Sequence, residues 1–219
     1  TRDPSSAASD VYKRQEKNHI PEKLMMLTRN GKNLNQKIFI NGCNMESYFN
    51  GKWDDSSLDG YKWSGYRLVD EINSQKPRSV LDVGCGFNRF KGKIKNLIGI
   101  DPYNDNADIK VSLEDYKAGP VDIVLCLGSI NFGDESVIDN QIEILHELWY
   151  KKAYFRVNPG REHIWHDKAD WDGIVWYDWS RSKIDSVVNK YKYTLDRFEE
   201  ELTIQGHKRY YFELNKPNI

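Results

Sequence analysis

Residues 79–88 read Ser-Val-Leu-Asp-Val-Gly-Cys-Gly-Phe-Asn, and this stretch decides the fold. Val80, Leu81 and Val83 form the apolar, partly β-branched run of a parallel strand covered on both faces. Gly84 and Gly86 follow at once, removing side chains where the chain turns tightly and where something approaches the backbone closely. Asp82 stands two residues before the first glycine, at the carboxyl end of the strand, where open α/β sheets bind ligands in a crevice. Gly-x-Gly alone is a weak signal, because many α/β proteins use it only to turn. The acid raises its weight. A dinucleotide-binding turn continues Gly-x-Gly-x-x-Gly, which brings a helix amino terminus onto a pyrophosphate. Arg89 occupies the position of that third glycine, so a nicotinamide cofactor is disfavoured.

Working outward, Tyr66, Leu68, Val69 and Ile72 recur at helical spacing, and Lys76-Pro77 ends that helix before the strand. Residues 90–95 are short, basic and interrupted by Gly92, so the first crossover is abbreviated. Residues 96–101 already read as the second strand. Asp101 falls 19 residues after Asp82, the spacing at which an acid accepts hydrogen bonds from ribose hydroxyls. The competing reading is that Asp101-Pro102 begins a turn, where Asp is common. Residues 107–111 predict a third strand. Residues 121–127 are the clearest strand, a fourth and central one closing on Gly128. Residues 135–150 predict an amphipathic helix with Val137, Ile138, Ile142, Leu145 and Trp149 on one stripe. A fifth strand over 153–157, a helix over 182–191 and two antiparallel strands over 193–204 and 207–214 complete the pattern.

The run Val-Leu-Asp-Val-Gly-Cys-Gly closely resembles the first motif of class I S-adenosylmethionine-dependent methyltransferases. The resemblance covers roughly residues 60–215 and implies a Rossmann-like three-layer α/β sandwich. Its sheet would be seven-stranded and mostly parallel, in the order 3-2-1-4-5-7-6, with a C-terminal antiparallel hairpin. It implies S-adenosylmethionine as cofactor, with Asp82, Gly84, Cys85 and Gly86 around the methionine part and Asp101 on the ribose. Glu114, with Asp115 as its competitor, would face the adenine. Leu127 and Gly128 would also contact the cofactor, and the segment 128–133 after the fourth strand would lie beside the transferable methyl group. The family often carries a third glycine where Asn88 stands here. Asn is the non-glycine residue that best tolerates a left-handed backbone, so the turn survives the change.

The 219 residues suffice for one α/β domain of ordinary size. Residues 5–15 resemble a translated sequencing adaptor, which sets 1–15 aside as an artefactual or disordered tail. Residues 16–60 are expected to form an aromatic, glycine-punctuated extension that folds over the site as a lid, and 61–219 the methyltransferase domain. The formal net charge of −1 shows no basic excess of the kind a phosphate-binding protein usually carries, although a local patch can hide inside a neutral total. Cys43, Cys85 and Cys126 are odd in number and far apart, which suits reduced thiols in a cytoplasmic protein. No apolar run approaches the roughly 18 residues needed to span a bilayer.

Residues 161–179 are the most unusual part, crowding His163, Trp165, His166, Asp167, Trp171 and further rings and acids into one loop. After the fifth strand, at the carboxyl edge of the sheet, such a loop is the natural wall of a substrate pocket. Trp165, His166 and Trp171, together with Asn131 after the fourth strand, are the substrate-binding candidates. His163 and His166 are the candidate general bases, since histidine titrates near neutrality. A metal is disfavoured, because His163-x-x-His166-Asp167 lacks a recognised ligand spacing and no cysteine joins it. The expected activity is methyl transfer to a small-molecule acceptor. The alternatives are methylation of an RNA base and a methyltransferase-like binding subunit without activity. Oligomeric state is left open.

Overall fold

In the computed structural model, residues 65–159, 175–202 and 208–217 are described, and all fall in the compact unit spanning Lys37–Ile219. Val80–Val83 (β1) is buried along its whole length. It pairs in parallel with Leu97–Ile100 (β2) on one side and Val121–Leu127 (β3) on the other. Trp149–Val157 (β4) continues the parallel order beyond β3. Thr194–Leu202 (β5) and Lys208–Asn215 (β6) form the antiparallel hairpin, with β6 against β4. The sheet order among the described residues is β2-β1-β3-β4-β6-β5.

Successive side chains of a strand point to opposite faces, and β3 therefore feeds two cores. Val124 and Cys126 join Phe155 and Phe212 under the helices Glu135–Leu148 and Arg181–Tyr191. Ile123 and Leu125 join Tyr154 and Tyr211 under the helix Leu68–Ser74. In chain order these helices are α1 (68–74), α2 (135–148) and α3 (181–191). Asp134 caps α2, its carboxylate accepting from the amides of Ser136 and Val137 at 2.9 and 3.1 Å. Ser180 caps α3 by accepting from the amide of Lys183. No described helix is long and apolar enough to cross a membrane.

Two expectations are corrected. Residues 107–111 are not a strand, and six strands rather than seven are found among the described residues. A single parallel bridge joins Ile109 to Ile100. The reason lies in Asp108, whose side chain accepts from the Gly99 amide at 2.9 Å, the β2 donor that an edge strand's carbonyl would otherwise use. Nor does the α2 helix run to residue 150. Trp149 is extended, 1% exposed and paired with Val121, so it opens β4 although it continues the helical stripe.

At the opposite edge of the sheet from the glycine turn, Asp122 is buried yet ionised. Its carboxylate accepts from the Arg78 amide at 2.8 Å and from Lys151 Nζ at 2.9 Å. Burial alone would raise its pKa, but these bonds outweigh it and hold the group at about 2. Asp122→Ala is therefore expected to cost about 3 kcal/mol in urea unfolding at neutral pH, by leaving the donors without their acceptor. A depressed folded-state pKa stabilises above the unfolded value near 4, and that contribution is lost as pH falls toward 2. The gap between wild type and variant should shrink over that window. A gap independent of pH would show that the charge of Asp122 is not what matters.

Candidate functional site

The crevice lies where β1, β2 and β3 end. Gly84 and Gly86 both adopt positive φ, at 65° and 52°, but their surroundings differ. A Cβ on Gly84 would stand 2.4 Å from the Cβ of Ser129, the residue two beyond the end of β3. Among the described residues, a Cβ on Gly86 would meet nothing within 4 Å, and one on Gly128 would meet only Asn131 Nδ2 at 3.9 Å. Gly84 thus joins two loops of the fold, while no described side chain closes over Gly86 or Gly128.

Asp82, the third residue of β1, is 4% exposed between the two layers. Burial, and secondarily the nearby charge of Asp101, push its pKa up to about 8. No described residue donates a hydrogen bond to its carboxyl group. A desolvated acid to which no described residue donates, at the carboxyl end of a strand, is arranged to take a cation or a proton.

Asp101 realises the turn reading. One oxygen accepts from the amides of Tyr103 and Asn104, at 2.9 and 3.0 Å, and the other from the Gly86 amide at 3.0 Å. These three bonds tie the end of β2 to the glycine turn. A carboxylate has about four acceptor directions, so one remains for a ligand hydroxyl. Replacing Asp101 by Ala would disturb the turn as well as any ligand, so the variant cannot separate the two roles.

Cys85 contributes backbone rather than thiol chemistry. Its amide donates to the Ile100 carbonyl at 3.0 Å, and burial pushes its thiol pKa upward. Asn88 takes the left-handed conformation, φ 52°, that the missing glycine requires. Its side-chain amide donates to Asn106 O and Asp108 Oδ2, at 3.0 and 3.1 Å, so it also anchors the segment after β2. Residues 84–96 form turns and no helix, so no helix amino terminus faces the crevice from this loop. Glu114 accepts from Gln141 of α2 at 2.9 Å. Leu127 is half-buried against the chain at Gly65.

Asn131 does not present its side chain to a ligand. It is 2% exposed, its amide donates to Gly128 O at 3.0 Å and its oxygen accepts from the Asn158 amide at 2.9 Å. These bonds lock the loop after β3 to the loop after β4. His163, Trp165, His166 and Trp171 lie outside the described residues. The end of their loop is described, and it returns across the loop after β3. Gly133 N donates to Val175 O, Tyr177 N to Asn131 O, and Trp179 Nε1 to Ile130 O. Tyr177 and Trp179 point into the core, so the alternating Trp176 and Asp178 face the other way. Trp176 meets Phe132 with ring centroids 4.6 Å apart. Sequence reading set residues 128–133 beside the methyl group without singling out Phe132 or Ser129, and the two-residue alternation through 176–179 was the signal that distinguishes Trp176 from its buried neighbours. Among the described residues, no group of three His, Cys, Asp or Glu side chains is placed to hold a metal.

No family model matches the chain, and no curated protein matches it by sequence. Solved structures do match. The 1,6-didemethyltoxoflavin-N1-methyltransferase of Burkholderia thailandensis, crystallised with its substrate and S-adenosylhomocysteine, aligns with a TM-score of 0.59 at 13% identity, over 78% of this chain and 84% of that one. The magnesium protoporphyrin IX methyltransferase of Synechocystis with S-adenosylhomocysteine gives 0.59 at 14% identity, over 78% and 91%. The N-methyltransferase NodS of Bradyrhizobium japonicum with the same compound gives 0.56 at 10% identity, over 75% and 94%. At such identities the likeness is one of fold: the mixed sheet of the described residues matches the Rossmann-like fold of these methyltransferases.

Proposed function

We propose that the crevice binds S-adenosylmethionine and that the protein transfers its methyl group to a small-molecule acceptor. The observation that carries the proposal is Asp82, a buried carboxyl group to which no described residue donates, at the end of the strand that leads into Gly84 and Gly86. The ammonium of a bound amino acid would supply the missing partner, and Gly86 and Gly128 leave room for its chain to pass close to the backbone. Asp101 would offer its remaining acceptor direction to the ribose hydroxyls, and Glu114 its second oxygen to the adenine. Cys85, Leu127 and Gly128 would contribute backbone and apolar surface.

When bound, the cofactor supplies a sulfonium that activates its own methyl group. The protein's part is then to align the acceptor, exclude water and remove a proton if one must leave. Phe132 and Trp176, held by the bonded loops after β3 and β4, are the described rings for the acceptor wall. Trp165, His166 and Trp171 would extend that wall, with His163 and His166 as the bases within reach of it. Methyltransferases among the structural neighbours act on small ring compounds and porphyrins, which agrees with a ring-lined wall.

Calorimetric titration with S-adenosylmethionine, S-adenosylhomocysteine and NAD tests the reading. The first two should bind with micromolar affinity and NAD should not. Binding by NAD alone would overturn it, and binding by none of the three would leave the fold without this function.

A further inference from the structure

Cations stand at both edges of the sheet, but Lys91, Lys110, Lys183 and Lys208 at the crevice edge are each paired with an acid, whereas, among the described residues, those at the other edge are mostly not. Lys76 and Arg78 stand before β1, Lys95 before β2, Lys151 near the start of β4, Lys192 before β5 and Lys216 after β6. Because β6 runs antiparallel to its neighbours, all six lie at the amino-terminal edge of the sheet, opposite the crevice. The acids nearest to them do little to offset this. The side chain of Asp122 is only 2% exposed and is shared by Arg78 and Lys151, at 3.3 and 2.9 Å. Asp196 is paired with Lys152 at 2.8 Å, which leaves Glu147 beside His146 as the exposed exception. Burial and then the charges of Lys216 and Lys190 lower the pKa of His146, as a local positive potential would.

Helix carboxyl ends favour cations, and α1, α2 and α3 all end at this edge. That accounts for Lys76 and Lys192, which follow helices. It does not account for Lys95, Lys151 or Lys216. Nor does it explain Tyr150, a residue 56% exposed at the rim of an open surface cavity of about 390 Å³. Tyr150, Lys151, Thr194, Asn215 and Lys216 line that cavity, combining a flat ring, two ammonium groups and neutral polar groups. The cations stand at five of the six strands, from β2 at one side of the sheet to β5 at the other, and five spacings of about 4.8 Å spread them over roughly 24 Å, several times the reach of one phosphate.

We propose that this edge is a second binding surface, for single-stranded nucleic acid, with the six cations along the phosphates and one base seated in the cavity against Tyr150. Stacking on an exposed ring beside a basic track is the usual chemistry of such binding. The near-neutral total charge does not oppose it, since the strand meets only the local patch. The proposal stands independently of methyl transfer.

The test is fluorescence anisotropy of a fluorescein-labelled oligouridylate of about twelve nucleotides. Affinity should fall with salt, with a log–log slope of about −2 to −4 at roughly 0.7 per phosphate contact. Lys95→Glu combined with Lys192→Asn should weaken binding about tenfold and flatten that slope. Asn keeps the left-handed backbone found at Lys192, φ 58°. Tyr150→Ala should weaken binding about tenfold and leave the slope unchanged, because a ring carries no charge. Melting temperatures should stay within a degree or so, as these positions are exposed. No binding at low salt, or binding indifferent to both variants, overturns the proposal. So does displacement of the strand by uridine monophosphate at equal affinity, which would reduce the surface to a pocket for a mononucleotide.

Discussion

Asp82→Asn is expected to abolish S-adenosylmethionine binding and, at the same time, to raise the stability of the free protein. The two effects share one cause. Burial lifts the folded-state pKa of this carboxyl group to about 8, against about 3.9 in the unfolded chain. Between those values the folded chain holds a proton that the unfolded chain gives up. The raised pKa therefore favours the fold fully below pH 4, and the benefit is lost as pH rises through 8. Wild-type stability should decline over that window by up to about 1.4 kcal/mol per pH unit. Asn has no such proton to lose, so the variant should match wild type near pH 4 and exceed it by several kcal/mol at pH 8.

Ligand binding reverses the sign. A cofactor ammonium beside Asp82 favours the carboxylate, so binding below pH 8 must expel the proton. Wild-type affinity should rise about tenfold per pH unit toward pH 8, and calorimetry in buffers of different ionisation heat should detect proton release. The amide cannot form the ion pair, and a loss of a hundredfold or more in affinity is expected. A variant that is less stable than wild type at pH 8, or that binds the cofactor normally, would refute the role given to Asp82.

The second large effect separates two glycines that look alike. Gly84→Ala should prevent stable folding, since a positive φ is combined with a Cβ 2.4 Å from that of Ser129. Strain of about 1 to 3 kcal/mol at the backbone adds to the displacement of the loop after β3. Gly86→Ala carries the backbone strain but no clash with a described residue. It should fold with a loss of about 1 to 2 kcal/mol while reducing cofactor affinity at least tenfold, because its methyl group enters the space left for the ligand. Urea unfolding and calorimetry on both variants decide the matter. If Gly86→Ala binds the cofactor unchanged, the space above it is not the cofactor's path.

The inner strands were legible in the sequence because burial on both faces demands apolar runs, interrupted over residues 80–83 and 121–127 only by Asp82 and Asp122. The helix over 135–148 was equally legible from its stripe. Its end was not, since Trp149 satisfies a helix face and a buried strand equally well. The edge strand expected over 107–111 failed for a related reason. Periodicity does not reveal that Asp108 will take the Gly99 amide with its own side chain.

The sequence by itself determined the turn, the acid at the end of β1 and the left-handed tolerance of Asn88, because these depend on residue type and local spacing alone. Only the tertiary structure decided what each would do. Asp82 acquires its raised pKa from the layers that bury it. Gly84 acquires its constraint from a loop 45 residues away. Asn131 was turned from a ligand contact into a clasp by Asn158. The row of cations at the edge opposite the crevice likewise exists only once the strands lie side by side, since desolvation, clash and field depend on neighbours in space that one-dimensional order does not reveal.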